Sequence, residues 1–232
     1  MSDHIFPLPD VFTIPVVGER ATYPVRRIFC VGRNYVAHAA EMGSEVDREA
    51  PWYFTKSVEN AVRSGSEVPY PPGTSNYHYE MELAFSIGTP VFRVGVEAAQ
   101  KAVYAYCCAL DMTRRDCQQD GKDRRRPWDL GKDFENASVF APMTKAHEFG
   151  VVGVQRIFLE VDGVLRQEAL LSDMVWSCAE VVAHLSEYYH LQPGDVIMTG
   201  TPAGVGPLVA GQTITGGING LEPISLRIVS PA

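Results

Sequence analysis

Long apolar runs are missing from this 232-residue chain. The longest, residues 102–110, holds nine residues, about half of the ~18–20 that a membrane-spanning helix needs. The opening Met1-Ser-Asp-His-Ile-Phe-Pro lacks the basic stretch followed by an apolar one that marks a secretory leader. A cytoplasmic protein is therefore expected, with no membrane as partner. The five cysteines are odd in number and include no CxxC pair, which favours free thiols in a reducing compartment over a disulfide framework. Positive charge is also scarce. Lys and Arg total 20 against 28 Asp and Glu, a net charge of −8. Such a chain repels phosphate backbones, so nucleic acid is not an expected partner. An anionic substrate would have to be met by a local basic cluster or a metal. The GxSxG elbow, the HExxH helix, a phosphate-binding GxxxxGK loop and zinc-type Cys/His spacings are all absent, which removes several common catalytic designs.

Turn-forming residues are abundant, with 20 Gly and 16 Pro, so many short strands are expected rather than a helical bundle. A chain of this length buries about 70% of its unfolded surface and needs no staple to hold a core. There is no repeat, low-complexity tract or linker, which predicts one domain over 26–232 behind an arm at 1–25. Patterning predicts strands at 26–31, 52–55, 79–87, 104–110, 154–161, 164–170 and 196–199, with Asp162-Gly163 as a hairpin turn. It predicts helices at 35–42, with Asn34 as N-cap and Gly43 as stop, at 96–101, 113–119 and 177–189. Residues 63–78 read as a long loop, and 122–127 as a basic one, most simply solvated, though in a chain of net charge −8 its run of 122–126 could attract a small dianion.

Several constellations could carry chemistry. On a strand, Glu80 and Glu82 face the same side, and such a like-charge pair is unfavourable unless compensated. A hard divalent cation would relieve it; a solvated strand face is the plainer reading. Asp111 closes the apolar run and could sit at the mouth of a buried region or cap the segment after it. His38 and Glu41 are neighbours at i, i+3 on a helix, where the carboxylate could fix the tautomer and raise the basicity of the ring, or the pair could be incidental. Arg115 and Gln118 share that spacing, with Lys132 beyond them. The Thr199-Gly-Thr-Pro-Ala-Gly-Val-Gly206 loop could offer N–H groups and hydroxyls to a carboxylate, or simply turn the chain.

In order along the chain, Gly32-Arg-Asn-Tyr-Val-Ala-His38, Tyr79-Glu-Met-Glu-Leu83, Leu110-Asp-Met-Thr-Arg-Arg-Asp116, Leu130-Gly-Lys132, Ser172-Asp-Met174 and Pro193-Gly-Asp-Val-Ile-Met-Thr-Gly-Thr-Pro-Ala-Gly-Val-Gly206 resemble the fumarylacetoacetate hydrolase family, in its short single-domain branch. The resemblance runs from about Arg26 to the C-terminus. It implies an α+β, mostly β fold, a mixed β-sandwich roll. It also implies metal ligands Glu80, Glu82 and Asp111 for Mg²⁺ or Mn²⁺. His38 and Glu41 would form a catalytic dyad on a segment, about 35–50, that orders over the site. Lys132 would be catalytic, and Arg33, Lys56, Arg115, Gln118 and Thr201 would bind substrate. Family members are commonly homodimers. The activity implied is hydrolysis of a carbon–carbon bond in a small anionic β-diketo acid. Residues 24–35 and Tyr70-Pro-Pro-Gly-Thr-Ser-Asn76 favour 3-fumarylpyruvate, an intermediate of gentisate breakdown. Ser57 and Gln212 depart from the family pattern at positions that carry no catalytic role.

Three other readings compete. The same site could decarboxylate oxaloacetate, which needs the metal and an enolate sink but no attacking water. His78-Tyr-Glu-Met-Glu82 superficially resembles a cupin metal strand, but residues 196–205 supply no second His. A non-enzymatic, metal-stabilised ligand-binding protein would keep the acidic trio but has no use for a His/Glu pair.

Overall fold

The strand Val103–Asp111 is buried at all positions but one, and Met81–Ile87 is buried throughout. These two pair antiparallel and form the spine of the molecule. The computed structural model describes residues 4–43 and 45–231. Met1 to Asp3, Ser44 (inside the expected closing segment) and Ala232 lie outside the described residues.

Alternation explains how one strand serves two cores. Met81, Leu83, Phe85 and Ile87 face the larger apolar cluster, while Ala84 faces the smaller. Adjacent Cys108 and Cys107 divide in the same way, as a two-residue period requires. The main sheet is mixed. Its strands run in the order Trp52–Lys56, Arg27–Gly32, Asp195–Met198, Met81–Ile87, Val103–Asp111, Ser138–Phe140 and Ala61–Arg63. A five-stranded sheet, in the order Val164–Leu170, Arg156–Val161, Thr213–Ile218, Ile224–Val229 and Ser66–Pro69, lays Ile157, Leu159, Ile214 and Leu226 into the larger cluster. The helix Cys178–Tyr188 adds Val181, Val182 and Leu185. Its start is fixed by a capping box in which Ser177 and Glu180 each bond the other's backbone N–H, an exchange that satisfies two otherwise orphaned donors. The result is the expected mostly β, α+β architecture.

Some expectations need correcting. Asn34 does not cap the helix Val36–Glu41, where Tyr35 holds the cap position without a side-chain bond. The Asn34 amide instead accepts from Trp176 N–H (2.7 Å) and donates to its carbonyl (2.9 Å). Residues 63–78 are not one loop. Ser66–Pro69 adds a parallel edge strand beside Ile224–Val229 and sinks Val68 into the core, with Pro tolerated at the strand end. Tyr77–Tyr79 pairs with Thr113–Arg114 and Gly206–Pro207. The helix expected at 113–119 is Arg115–Asp123, so Lys122 belongs to it rather than to a loop. The later part of the 1–25 arm is also structural: Thr13–Pro15 pairs with Thr22–Pro24, and Ile14, Val16, Tyr23 and Val25 join the smaller cluster. No helix among the described residues is long and apolar enough to cross a membrane.

Candidate metal centre and active site

The register of the two central strands builds the acidic trio. Glu82 pairs with Ala109 and Met81 with Leu110. Asp111 N–H donates to the Glu80 carbonyl at 2.9 Å, which carries the register one step further. Glu80 and Glu82 project to the same side, and Asp111 stands beside them on the neighbouring strand. All three are buried, and a carboxylate oxygen from each lies within 4.8 Å of the others. Around Mg²⁺, with bonds of about 2.1 Å, oxygens stand about 3 to 4.2 Å apart, so small side-chain rotations bring the trio onto one ion. Three hard oxygen donors suit Mg²⁺ or Mn²⁺ better than softer metals.

Burial of three carboxylates demands compensation, and three buried cations supply it. Lys132 Nζ lies 2.8 Å from Glu80 Oε2 and 2.7 Å from Asp111 Oδ2, and it also donates to Thr113 Oγ1. Arg115 donates to Glu80 Oε1 through Nη2 and to Gln118 Oε1 through Nη1. Lys56 Nζ lies 2.9 Å from Asp111 Oδ1. The carboxylates respond unequally. Burial would raise Glu80, but Lys132 and Arg115 outweigh it and hold Glu80 well below the usual carboxylate range. Glu82 has the Gly200 N–H as its hydrogen-bond donor, at 2.8 Å. Burial, then Asp111 and Glu80, push its pKa well up. Glu82 is thus the under-compensated member, the group a cation would relieve most. Gly200 adopts φ +92°, a backbone that L side chains rarely take, and this conformation presents its N–H to Glu82.

His38 lies across the same cavity, and its ring Nδ1 is 3.2 Å from Glu41 Oε2. Glu41 is held in turn by the Gly204 N–H, at 3.0 and 3.2 Å from its two oxygens. The helix Val36–Glu41 is already seated over the site. Burial lowers the His38 pKa, while Glu80 and Glu41 partly oppose the shift, so the imidazole is neutral near pH 7. With Nδ1 committed to Glu41, Nε2 is left as the basic nitrogen.

The cavity brings together Glu80, Glu82, Asp111, His38, Arg115, Gln118, Lys132, Thr201 and Arg33. Lys132 arrives on the short helix Asp129–Lys132, which patterning missed. Gly131 has no room for a Cβ, which would stand 2.7 Å from Gln118 N, and this close approach sets Lys132 beside Gln118. Two expected substrate ligands sit differently. Lys56 does not line the cavity. Its side chain has no exposure, and its ammonium donates to the carbonyls of Met112, Ala137 and Lys132 behind Asp111, so it braces Asp111 rather than reaching substrate. The Thr201 hydroxyl is spoken for, donating to the Met81 carbonyl and accepting from Gln167 Nε2, both at 2.8 Å. Gln167 was not foreseen, because an isolated Gln in the exposed hairpin strand Val164–Leu170 gives no signal in the sequence. Lys122, expected in a basic loop, lines the cavity as well; 115, 118 and 122 follow i, i+3, i+7 and therefore share a helix face. His78 bonds Asn76 Oδ1 (2.8 Å) and does not belong to the group Glu80, Glu82 and Asp111 that could hold a metal, which counts against the cupin reading.

Comparison with known proteins agrees with this geometry. Residues 27–229 match the family described as Fumarylacetoacetate (FAA) hydrolase C-terminal. A fumarylpyruvate hydrolase of a Ralstonia species is 50% identical over 190 residues, 81% of this chain and 98% of that protein. An oxaloacetate tautomerase of Escherichia coli K12 is 36% identical over 199 residues, 85% of this chain and 90% of that protein. The crystal structure of fumarylpyruvate hydrolase from Pseudomonas aeruginosa in complex with Mn²⁺ and pyruvate superposes with a TM-score of 0.94 at 41% identity, covering 98% of this chain and 100% of that one. The chain belongs to the fumarylacetoacetate hydrolase family.

Proposed function

We propose that this chain is a metal-dependent hydrolase that cleaves 3-fumarylpyruvate to fumarate and pyruvate. The observation that carries the reading is a buried carboxylate trio facing an oriented, neutral His38 across one cavity. The likeness to fumarylpyruvate hydrolases over most of the chain supports it. Glu80, Glu82 and Asp111 would hold Mg²⁺ or Mn²⁺. When bound, such an ion supplies Lewis acidity that stabilises the enolate character of the pyruvyl leaving group.

The chain's own groups do the rest. His38 Nε2 takes a proton from water, and the water oxygen attacks the carbonyl carbon of the fumaryl group. Glu41, accepting from Nδ1, steadies the imidazolium that forms; a base so placed contributes about 10²–10⁴ in rate. The oxygen of the attacked carbonyl gathers charge near Arg115, Gln118 and Lys132; loss of one such donor typically removes about 2.7–4 kcal/mol of stabilisation. The bond to the pyruvyl methylene breaks with its electrons moving to the enolate, fumarate leaves, and a proton returns to that carbon to give pyruvate.

The same reading makes residues 26–232 one catalytic unit. It places the protein in the cytoplasm and in gentisate breakdown, and makes it a homodimer. The exposed apolar arm residues Ile5, Phe6, Leu8 and Val11 are consistent with cover by a second copy. Relatives named as oxaloacetate tautomerases keep action on oxaloacetate as the second reading. An absorbance assay with fumarylpyruvate, maleylpyruvate, acetylpyruvate and oxaloacetate, with and without chelator, tests both. Fumarylpyruvate should be turned over fastest, and chelator should stop it. Turnover of oxaloacetate alone would overturn the hydrolase reading.

A further inference from the structure

The cations at and behind the cavity fall into two groups. Arg115 and Lys132 are ion-paired to the carboxylate trio, and Lys56 braces it from behind. These three cations face three carboxylates. Arg33 and Lys122 also line the cavity, but neither side chain has an ion pair or hydrogen bond with any described residue. What each has is an indole. The Arg33 guanidinium stands 5.8 Å from the Trp52 ring and the Lys122 ammonium 5.1 Å from the Trp128 ring. The two indoles pack edge to face, 5.1 Å apart at 87°.

This arrangement is built rather than incidental. Trp52 presses on Gly32 so closely that a Cβ there would lie 2.2 Å from the indole. The next residue, Arg33, holds φ +54°, a left-handed backbone that is uncommon outside glycine and tends to mark functional positions. Lys122 is half-buried at the end of the helix that carries Arg115 and Gln118. Burial and the neighbouring Arg115 and Arg33 lower its pKa to about 8. Glu80 acts on it in the opposite sense but is already paired to Arg115 and Lys132, so the Lys122 ammonium has no anion of its own.

We infer that Arg33 and Lys122 form the subsite for the second carboxylate of the substrate, the one remote from the pyruvyl end. The inference rests on the proposed β-diketo acid substrate and adds what selects among such acids. 3-Fumarylpyruvate carries a carboxylate at each end, whereas acetylpyruvate has a methyl in place of the whole –CH=CH–COO⁻ arm and so has no remote carboxylate. The pair therefore rewards a dicarboxylic acylpyruvate. Aromatic faces orient both cations without neutralising them, so the attraction is kept for the ligand.

The test compares kcat/KM for fumarylpyruvate and acetylpyruvate in the parent, Lys122→Met, Lys122→Arg and Arg33→Asn, the last because Asn tolerates a left-handed backbone. The parent should favour fumarylpyruvate. Lys122→Met and Arg33→Asn should each lower that preference tenfold or more, through KM rather than kcat, and Lys122→Arg should restore most of it. Calorimetry with fumarate against crotonate, which lacks the remote carboxylate, reads the subsite without turnover. Fumarate should bind the parent more tightly and lose that advantage in Lys122→Met. If preference and fumarate binding survive both substitutions, the subsite is wrong while the hydrolase reading stands. If the parent hydrolyses no acylpyruvate, the functional reading fails, and fumarate binding still decides the subsite.

Discussion

Replacing Lys132 by Met removes the ammonium from between two buried carboxylates and leaves a side chain of similar length. Lys132 is 96% buried at its side chain and stands 2.7–2.8 Å from Asp111 Oδ2 and Glu80 Oε2. Taking one partner out of a buried ionic cluster destabilises by about 3–5 kcal/mol, because the remaining charge is left uncompensated. In a chain of this size each kcal/mol shifts the melting temperature by about 2–4 °C, so a loss of roughly 6–20 °C is expected without metal. The size should depend on pH in a definite direction. In the parent, Lys132 helps hold Glu80 ionised well below the usual carboxylate range. Without it, Glu80 can escape by taking up a proton, so the loss should shrink towards pH 5 and grow towards pH 8. Mn²⁺ should then stabilise the variant more than the parent, since it meets carboxylates that lack their cation. At a hundredfold excess over Kd, ligand binding alone adds about 2.7 kcal/mol. Urea unfolding at pH 5, 7 and 8, with and without Mn²⁺, measures all three effects. A Lys132→Met variant whose metal-free stability matches the parent across that range would refute the claim that this lysine compensates the trio.

Further outcomes follow from the same geometry. Glu82→Ala should abolish Mn²⁺ binding and turnover together, and unchanged affinity by calorimetry would remove Glu82 from the ligand set. His38→Asn should keep the metal but lose turnover by about 10²–10⁴; parent-like hydrolysis of fumarylpyruvate would place the base elsewhere. Because burial lowers the His38 pKa, kcat/KM should hold down to pH 6.5 and fall only below it. In Glu41→Gln that break should move lower still, since Glu41 opposes the shift; a break above 6.5 would contradict the assignment. The same shift favours neutral His38 in the fold, so its contribution to stability is present above the unfolded value of about 6.5 and declines as pH falls from there towards the folded value. Gly131→Ala, whose Cβ would press on the Gln118 backbone, should impair turnover by parting Lys132 from Gln118, and an unaffected variant would show that this contact does not set the site.

How much of this was visible in the sequence depends on distance along the chain. Features set by a local period were read well: Glu80 and Glu82 on one face, and the helix from about Ser177. Asp162-Gly163 turns the chain with φ +51° and +76°, as its residue types demand. What pattern alone did not show is the join between distant segments. Nothing local says that Asp111 meets Glu80; that comes from strand register. Nor does the sequence show that the Lys56 ammonium is consumed by three carbonyls on two other segments. Family resemblance supplied the names of these residues but gave Lys56 a place at the substrate that its burial denies. Asn34 shows the converse error. Its type fits an N-cap, yet the fold spends its amide on Trp176, 142 positions away.

Lys122 makes the physical reason plain. A run of Lys and Arg in an acidic chain is read as solvated because, locally, solvent is the cheapest partner. Its helical phase with Arg115 and Gln118 was available, but phase alone does not reveal whether the face looks onto water or onto a cavity. The deciding fact is tertiary: Gly131 lets the short helix Asp129–Lys132 close against Gln118, and Trp128 at its start comes beneath the Lys122 ammonium. One tolerated close approach therefore places Lys132 at the carboxylates and Trp128 under Lys122 together. The proposed catalytic lysine and the candidate specificity cation depend on the same backbone contact, so a change there should disturb rate and substrate preference at once.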